Sequence, residues 1–499
     1  MKNPPQQAGA QAPYEYTTPT KGKLRLMPIS DSLWAPTGFG TNTKNVSALL
    51  TKDGHHIGYG GCQNPQHVPC DIYWPLGQEE EYYTVENLPI MNPGQEKFGE
   101  KSFPTWIDNF KPHVVWTHLD FQMFQHVAAY KSPAQANVPL IDSETGKQLN
   151  TKQQREMFKE IYKDMKRRSK WKWAATIPFD GTPCVKSWQA LLDEIDYKIC
   201  MSRYGQIVAE DQFTGCENTY YIPHGVDAKN TFKPILNPRY GENKLVDLVG
   251  DAFVVGCVAR NQHRKNIPQL IKGFKEFVDR NDLTPKDVRL ILHMDWNDAM
   301  GWKFPAFAAQ YGLEDYLLPP LMGVLDLGQA LTEEDMVHLY NCMDAFVLPT
   351  AGEGFGIPTI EAMACGVPPL VTNYTTGWEI IREDDPSTAD IPLYPLGGEP
   401  NGDEKENGRD KLIEEDICEA GILLPYKDMW WDTPARAAPQ RAICSSVAIA
   451  DGLDYLYHNP DKKLKMGKAA RAKALKEYDW EPVGQKWIDM AHQWEKDCI

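Results

Sequence analysis

The run from Ala345 to Thr372 constrains this chain more than any other stretch. Ala345–Leu348 is a short apolar run of strand length, and Pro369–Thr372 is a second. Between them lie a glycine-rich loop and a helix, predicted over Pro358–Cys365. Pro358 stands at its first position and Gly366 just past its end, the ordinary start and stop asymmetry of a helix. Strand, loop, helix and strand in that order make one unit of a parallel sheet covered by helices. In the loop Glu353-Gly354-Phe355-Gly356-Ile357, backbone N–H groups are left without helical partners, with the positive end of the helix dipole behind them. That is an anion site suited to a phosphate. Glu353 precedes the helix and Glu361 lies on its first turn. Carboxylates repel phosphate, so both are read as acceptors of hydrogen bonds from hydroxyl groups. A capping box cannot occupy Glu361, because the residue three positions earlier is Pro358. A plain dipole role for Glu361 and a solvated loop role for Glu353 are the alternatives.

The same alternation runs through the rest of the chain. Leu24–Ile29 reads as a buried strand, followed by a turn at Thr37-Gly38-Phe39-Gly40, a helix from Thr41 to Lys52 and a strand from His55 to Tyr59. Further strands are predicted at His113–Thr117, Trp173–Ile177, Lys198–Ser202 and Thr219–Ile222. The turn-rich run from Pro223 to Asp227, with Phe232 and Pro234, ends this series. A second series opens with the strand Phe253–Val258 and continues with a helix over Pro268–Asp279, a strand at Arg289–His293 and a helix at Glu333–Cys342. Residues 383–417, charged and rich in Gly and Pro, read as a surface insertion. The last helices are predicted over Ala448–Tyr478 and Pro482–Lys496. This pattern divides the chain into a flexible arm (1–20), a first α/β half (21–235), a second (236–478) and a final helix (479–499).

Composition narrows the function. Among 499 residues, 68 acidic against 52 basic side chains give a net charge of −16, which excludes a nucleic-acid binder reliant on clustered cations. The 11 cysteines form no C-x-x-C pair and no zinc-spaced cluster, as expected of a reducing, cytoplasmic setting. No leader-like or membrane-spanning apolar run is present. Lys163–Trp173 mixes basic residues with Trp171 and Trp173. It is a candidate for peripheral membrane contact or for an anionic acceptor, against the alternative of a solvated helix entering a buried strand. Asp384-Asp385 follows no strand, so no catalytic metal is expected.

Cations stand where a phosphate site needs them. The strand ending near Ala259 delivers Arg260, and Lys265 follows just before a helix. Ligands of open α/β sheets bind beyond the carboxyl ends of strands. Arg260 offers a planar fork and Lys265 a point charge. Arg264 between them is expected to be a bystander, and a solvated basic loop is the alternative for all three. His118 and Asp120 also follow a strand end and are candidates to face the same cleft, with a simple structural histidine as the favoured alternative for His118.

Together these stretches resemble the retaining glycosyltransferases of family four, which have the GT-B fold and include sucrose synthases and mannosyltransferases. Glu353 and Glu361 match the E-x7-E motif with its G-F-G-x-P filling, and Arg260 and Lys265 match the diphosphate-binding pair. Ile222–Asp227 matches the inter-domain segment, and Tyr478-Asp479-Trp480 the start of the closing helix. The resemblance implies two Rossmann-like doubly wound α/β domains with a cleft between them and a C-terminal helix crossing back. It implies that Glu361 binds the donor ribose and Glu353 the transferred sugar. The backbone of Gly354, Phe355, Gly356 and Ile357 cups the phosphates, Gly38, Phe39 and Gly40 face them, and Val324 lies near the base. Where many members carry a His after the strand ending at Ile177, this chain has Phe179 and Asp180, and Asp180 is the candidate replacement. A UDP- or GDP-sugar donor, no metal cofactor, and a hydroxyl acceptor on a glycan, lipid-linked or small molecule are further implications. The alternatives are a sugar-nucleotide epimerase, a phosphorylase with a pyridoxal phosphate lysine, and a non-catalytic binding subunit of this fold.

Overall fold

The computed structural model describes residues 21–33, 35, 37–62, 70–73, 82–88, 96–131, 171–236, 249–299, 301–318, 331–382, 409–432 and 439–499. The expectations for the arm 1–20, for residues 163–170, for Val324 and for Asp384-Asp385 lie outside these residues.

Two sheets organise the chain. The first comprises β1 (Arg25–Asp31), β2 (His56–Cys62), β3 (Cys70–Tyr73), β4 (Tyr82–Leu88), β5 (Val114–His118), β6 (Lys172–Ile177), β7 (Tyr197–Cys200) and β8 (Tyr220–Tyr221), in the order β3-β4-β2-β1-β5-β6-β7-β8. All its pairings are parallel except β3 with β4. The second comprises β9 (Phe253–Val258), β10 (Val288–His293), β11 (Ala345–Leu348), β12 (Pro369–Thr372), β13 (Ile417–Cys418) and β14 (Gly421–Leu424), in the order β10-β9-β11-β12-β14-β13. A hairpin of β15 (Tyr426–Trp431) and β16 (Gln440–Cys444) stands apart. Each large sheet is doubly wound about its first strand, β1 or β9, and is Rossmann-like. The strands read from the sequence are present within a few residues, because apolar runs buried on both faces are a local signal.

Four parts of the expectation change. Strands β3 and β4 and the helix Phe103–Phe110 had no counterpart in the reading. The charged insertion gives way at Ile417 to four short strands. The helix predicted over Ala448–Tyr478 is broken at Pro460, which starts a new helix where its ring would have clashed inside the old one. Trp171 and Trp173 are buried, so the two tryptophans proposed for a membrane or acceptor surface belong to the core. Among the described residues no helix is long and apolar enough to cross a membrane.

The last helix, Trp480–Cys498, packs on the first sheet. Trp480, Val483, Trp487 and Trp494 share a buried cluster with Leu24, Leu26, Val46 and Trp116, and the rings of Trp116 and Trp487 are 4.5 Å apart. Asp479 caps this helix, and its carboxylate accepts the N–H groups of Ala228 and Lys229 at 3.1 Å. The chain end thereby ties the crossing between the sheets to the first sheet. Trp487→Ala is expected to cost about 3–5 kcal/mol through the cavity it leaves. Chemical denaturation monitored by circular dichroism reads that loss; a change below about 1 kcal/mol would contradict this account of the helix.

Candidate functional site

The site begins at the carboxyl end of β9. The chain leaves the sheet at Ala259 and turns through a short 3₁₀ segment, His263–Lys265, which ends at Asn266 with a left-handed φ of 52°. Asn266 is held by its side-chain amide, which donates to the Ala442 carbonyl at 2.8 Å. This turn decides which cations face inward. Arg260 points out: its side chain is 70% exposed and reaches Asp298 at 3.3 Å. Lys265 points in, is buried, and donates to Glu353. Arg264 also points in, donating to the Gly352 carbonyl at 2.6 Å and approaching the second Glu353 oxygen at 3.1 Å. The expectation of a bystander role for Arg264 is thus corrected. The tight turn rotates it to the same side as Lys265.

Glu353 is the anion of this cluster. Burial alone would raise its pKa, but the neighbouring charges of Arg264 and Lys265 outweigh that and hold it down at about 2. The cost of burial lowers the pKa of Lys265, and Arg264 adds to that shift. Two cations against one carboxylate leave one net positive charge. Above it, the amides of Gly354, Phe355, Gly356 and Ile357 donate to no group among the described residues. The helix Ile357–Ala364 starts there, with Gly356 at φ 109°, a conformation glycine adopts without strain. Thr375 Oγ1 accepts the Glu353 N–H at 3.0 Å, and Thr376 Oγ1 donates to the Phe355 carbonyl at 2.6 Å, so the loop is fixed from behind.

Glu361 lies one helical turn on. Its carboxylate accepts the Tyr340 hydroxyl at 2.6 Å. Burial raises its pKa to about 7, against the opposing effect of that bond.

The first sheet supplies the opposite wall. Thr37 caps the helix Gly38–Lys52 by accepting the Gly40 N–H at 3.0 Å and donates to Asp31 at 2.7 Å. A Cβ on Gly38 would lie 2.8 Å from the Ile357 side chain, so this loop meets the anion loop directly. The two are joined by a ladder of rings. Phe39 to His118 is 5.2 Å, His118 to His224 is 5.3 Å, and His224 to Phe355 is 5.2 Å between centroids. His118 is fully buried, its Nδ1 is 2.7 Å from the Thr43 hydroxyl, and burial holds it neutral. It supports the wall from inside and does not line the cleft surface. Phe179 is core. Asp180, next to it, points to the β15–β16 hairpin, where Arg441 donates to both its carbonyl and its carboxylate. Asp120 is an exposed residue, yet crowding of its carboxylate by protein and the nearby Asp180 charge raise its pKa to about 6.

The structure therefore brings Lys265, Glu353, Gly354, Phe355, Gly356 and Ile357 together with Gly38 and Phe39. It leaves Arg260 on the rim and His118 in the core. Sequence reasoning gave no role to Arg264, Tyr340 or Arg441. Arg441 lies in a stretch without any motif, and only the tertiary contact with Asp180 reveals it.

Comparison with known proteins bears on the fold and on one segment of the second half. Residues 324–388 match the family described as Glycosyl transferases group 1. O-antigen chain mannosyltransferase B of Escherichia coli is 30% identical over 140 residues, which cover 27% of this chain and 31% of that protein. The capsular polysaccharide biosynthesis glycosyltransferase CapM of Staphylococcus aureus is 32% identical over 136 residues, 27% of this chain and 31% of CapM. The chain thus spans about a third of the length of these two relatives. Sucrose-phosphate synthase from Thermosynechococcus elongatus superposes with a TM-score of 0.62 over 94% of this chain and 99% of that one, at 16% identity. Anabaena HepE in complex with UDP and glucose gives 0.57 over 94% of this chain and 100% of that one, at 13% identity. The chain has the GT-B fold, and its second half carries a Glycosyl transferases group 1 segment.

Proposed function

We propose that this protein transfers a sugar from a nucleoside diphosphate sugar to a hydroxyl acceptor, with retention of anomeric configuration and without a metal. One observation carries the reading: the Arg264–Glu353–Lys265 cluster, with Glu353 and Lys265 buried and net charge +1, beneath amides of residues 354–357 that donate to no group among the described residues. That is a preorganised site for the diphosphate of a donor. The reading assigns the donor to residues 236–478, the acceptor mainly to 21–235, and a bridging role to 479–499. Glu361 takes the ribose hydroxyls and Glu353 the transferred sugar. Val324 remains assigned to the base and Arg260 to the outer phosphate. As the anomeric bond loosens, charge grows on the leaving phosphate, and Lys265, Arg264 and the loop amides stabilise it. That phosphate takes the proton of the incoming hydroxyl on the same face, so retention needs no enzymatic nucleophile. HepE was solved in complex with UDP and glucose, which favours UDP as the first donor base to test.

The first test is a thermal-shift screen of UDP, GDP and ADP with a chelator present. A bound diphosphate at about 100 times its Kd should add roughly 2.7 kcal/mol of stability. Product analysis by NMR, with and without acceptor, then separates transfer from epimerisation and reads the anomer. A strict need for Mg²⁺ or Mn²⁺, or inversion of the anomer, would defeat the reading.

The pH dependence of donor binding follows from Glu361. Its pKa is raised to about 7, so it is protonated below that pH and ionised above it. A ribose hydroxyl donates more strongly to the ionised form. Donor affinity is therefore expected to increase as pH rises through about 7, and Glu361→Gln should be weaker and flat across that range. Isothermal titration from pH 5.5 to 8.5 reads both. An unchanged slope in Glu361→Gln would remove Glu361 from the ribose site.

A further inference from the structure

The β15–β16 hairpin does more than close a gap between the sheets. On the β16 side, the Ala442 N–H donates to the Ala351 carbonyl at 3.1 Å, one residue before Gly352 of the donor loop. The Gln440 N–H donates to the Thr182 carbonyl at 2.9 Å, two residues after Asp180 of the first sheet's wall. The hairpin is therefore anchored to both walls of the cleft. Its two faces are distinguishable, because directly opposed residues of antiparallel strands project to one side. Trp430 opposes Arg441. Arg441 is buried against Asp180 and against Asp432, which it reaches at 3.0 Å. Trp430 thus shares the face that turns toward Asp180. Trp431 opposes Gln440 and, by the two-residue period, projects the other way with Met429. Met429 packs on Tyr374, Tyr426 and Ala442. Trp430 is only half-buried, although it lies beside a fully engaged ion pair.

We propose that Trp430, with Asp180 and Asp120, forms a saccharide subsite, so that the acceptor is the sugar of a glycan chain; this rests on the reading above. The chemistry is that of sugar recognition. The C–H face of a pyranose ring is apolar and stacks on an indole, while its equatorial hydroxyls project sideways as donors to carboxylates. Asp180 and Asp120 are carboxylates at the ends of β6 and β5, on the acceptor side, and Asp120 keeps an accessible face. Gly352 joins this face of the hairpin to the loop before Glu353, since a Cβ on it would lie 2.1 Å from the Asp180 carbonyl oxygen and 2.8 Å from Arg441 Nη1. A ring stacked on Trp430 therefore belongs to the acceptor and not to a separate site.

The test uses the full chain, loaded with whichever nucleoside diphosphate raises its Tm, on an oligosaccharide array. The loaded protein is expected to bind at least one glycan. Trp430→Ala is expected to bind it about tenfold more weakly or worse, as for truncation of a buried aromatic anchor. Its diphosphate-induced Tm shift should be unchanged. Trp431→Ala, on the far face, should bind as wild type does. If Trp430→Ala fails to fold, Trp430→Phe serves instead: glycan-induced quenching of indole fluorescence should be present in the wild type and reduced in that variant. Absence of any glycan ligand despite a diphosphate shift, or equal glycan binding by Trp430→Ala, would overturn this inference alone. Absence of a shift with every diphosphate would overturn the reading beneath it, and this inference with it.

Discussion

Lys265→Ala and Arg264→Ala are each expected to lower kcat by about 10²–10³, the loss associated with one preorganised donor at a developing oxyanion, roughly 2.7–4 kcal/mol. Both side chains converge on Glu353, which immediately precedes the amides proposed to cup the phosphate. Removing either leaves a buried carboxylate with one cation fewer and, on the proposed mechanism, takes away a charge that acts most as the sugar–phosphate bond breaks. Arg260→Ala should lose less, because its side chain is 70% exposed and its charge is screened by water. The expected order is therefore Lys265 and Arg264 first, Arg260 after them. Steady-state kinetics on the three variants, with circular dichroism to confirm folding, decide it. Near-normal turnover in Arg264→Ala would show that its contact with Glu353 is only structural.

The same variants carry a stability signature. The pKa of Glu353 is held at about 2, below the ordinary value. A depressed carboxylate contributes stability that is present above its unfolded pKa and is lost as pH falls through the folded one. In Lys265→Ala one of the two cations is gone, so the pKa of Glu353 should rise and the acid-unfolding midpoint should move to higher pH. Tryptophan fluorescence from pH 6 to 2 reads that midpoint. A midpoint no higher than that of the wild type would contradict the pairing.

Gly352→Ala is expected to reduce turnover by about 10² or more while each half of the molecule stays folded. A Cβ at Gly352 would lie 2.1 Å from the Asp180 carbonyl oxygen and 2.8 Å from Arg441 Nη1. The first contact is backbone, in a loop already pinned by Gln440 and Tyr374. Neither wall can yield locally, so the two sides of the cleft must move apart at the point where the donor loop faces Asp180. Displacement of reacting groups by about 1 Å is enough to cost roughly 10²-fold. Kinetics together with small-angle scattering test this. A variant with wild-type turnover and an unchanged radius of gyration would show that the contact is not needed in the active geometry.

What could be read in advance was whatever is encoded locally. The strand Phe253–Val258 and the strands on either side of the Gly354–Gly356 loop are continuous apolar runs, and a run buried on both faces announces itself. The helix after the loop is marked by Pro358 and Gly366, and the expectation of an anion site at its start follows from Pro358 and from Gly354 and Gly356 in the loop before it. The short strands β3, β4 and β13–β16 gave no such sign. They gain stability from neighbours distant in sequence, which no local window contains. The break at Pro460 is also encoded locally, because a proline inside a helical pattern ends one helix and starts the next.

The orientation of each cation was decided elsewhere. Arg260, Arg264 and Lys265 are three charges in six residues, and their identities say nothing about which ones turn inward. The 3₁₀ turn and left-handed Asn266 make that choice, and Asn266 is held there by the carbonyl of Ala442, far along the chain. The aromatic ladder from Phe39 to Phe355 and the pairing of Asp180 with Arg441 likewise exist only after two sheets have docked. Sequence periodicity determined that there would be two α/β halves and a phosphate-type loop, because burial along a strand or helix is a property of neighbouring residues. Tertiary structure alone decided which charges share the cleft, because electrostatic pairing acts through space and ignores separation along the chain.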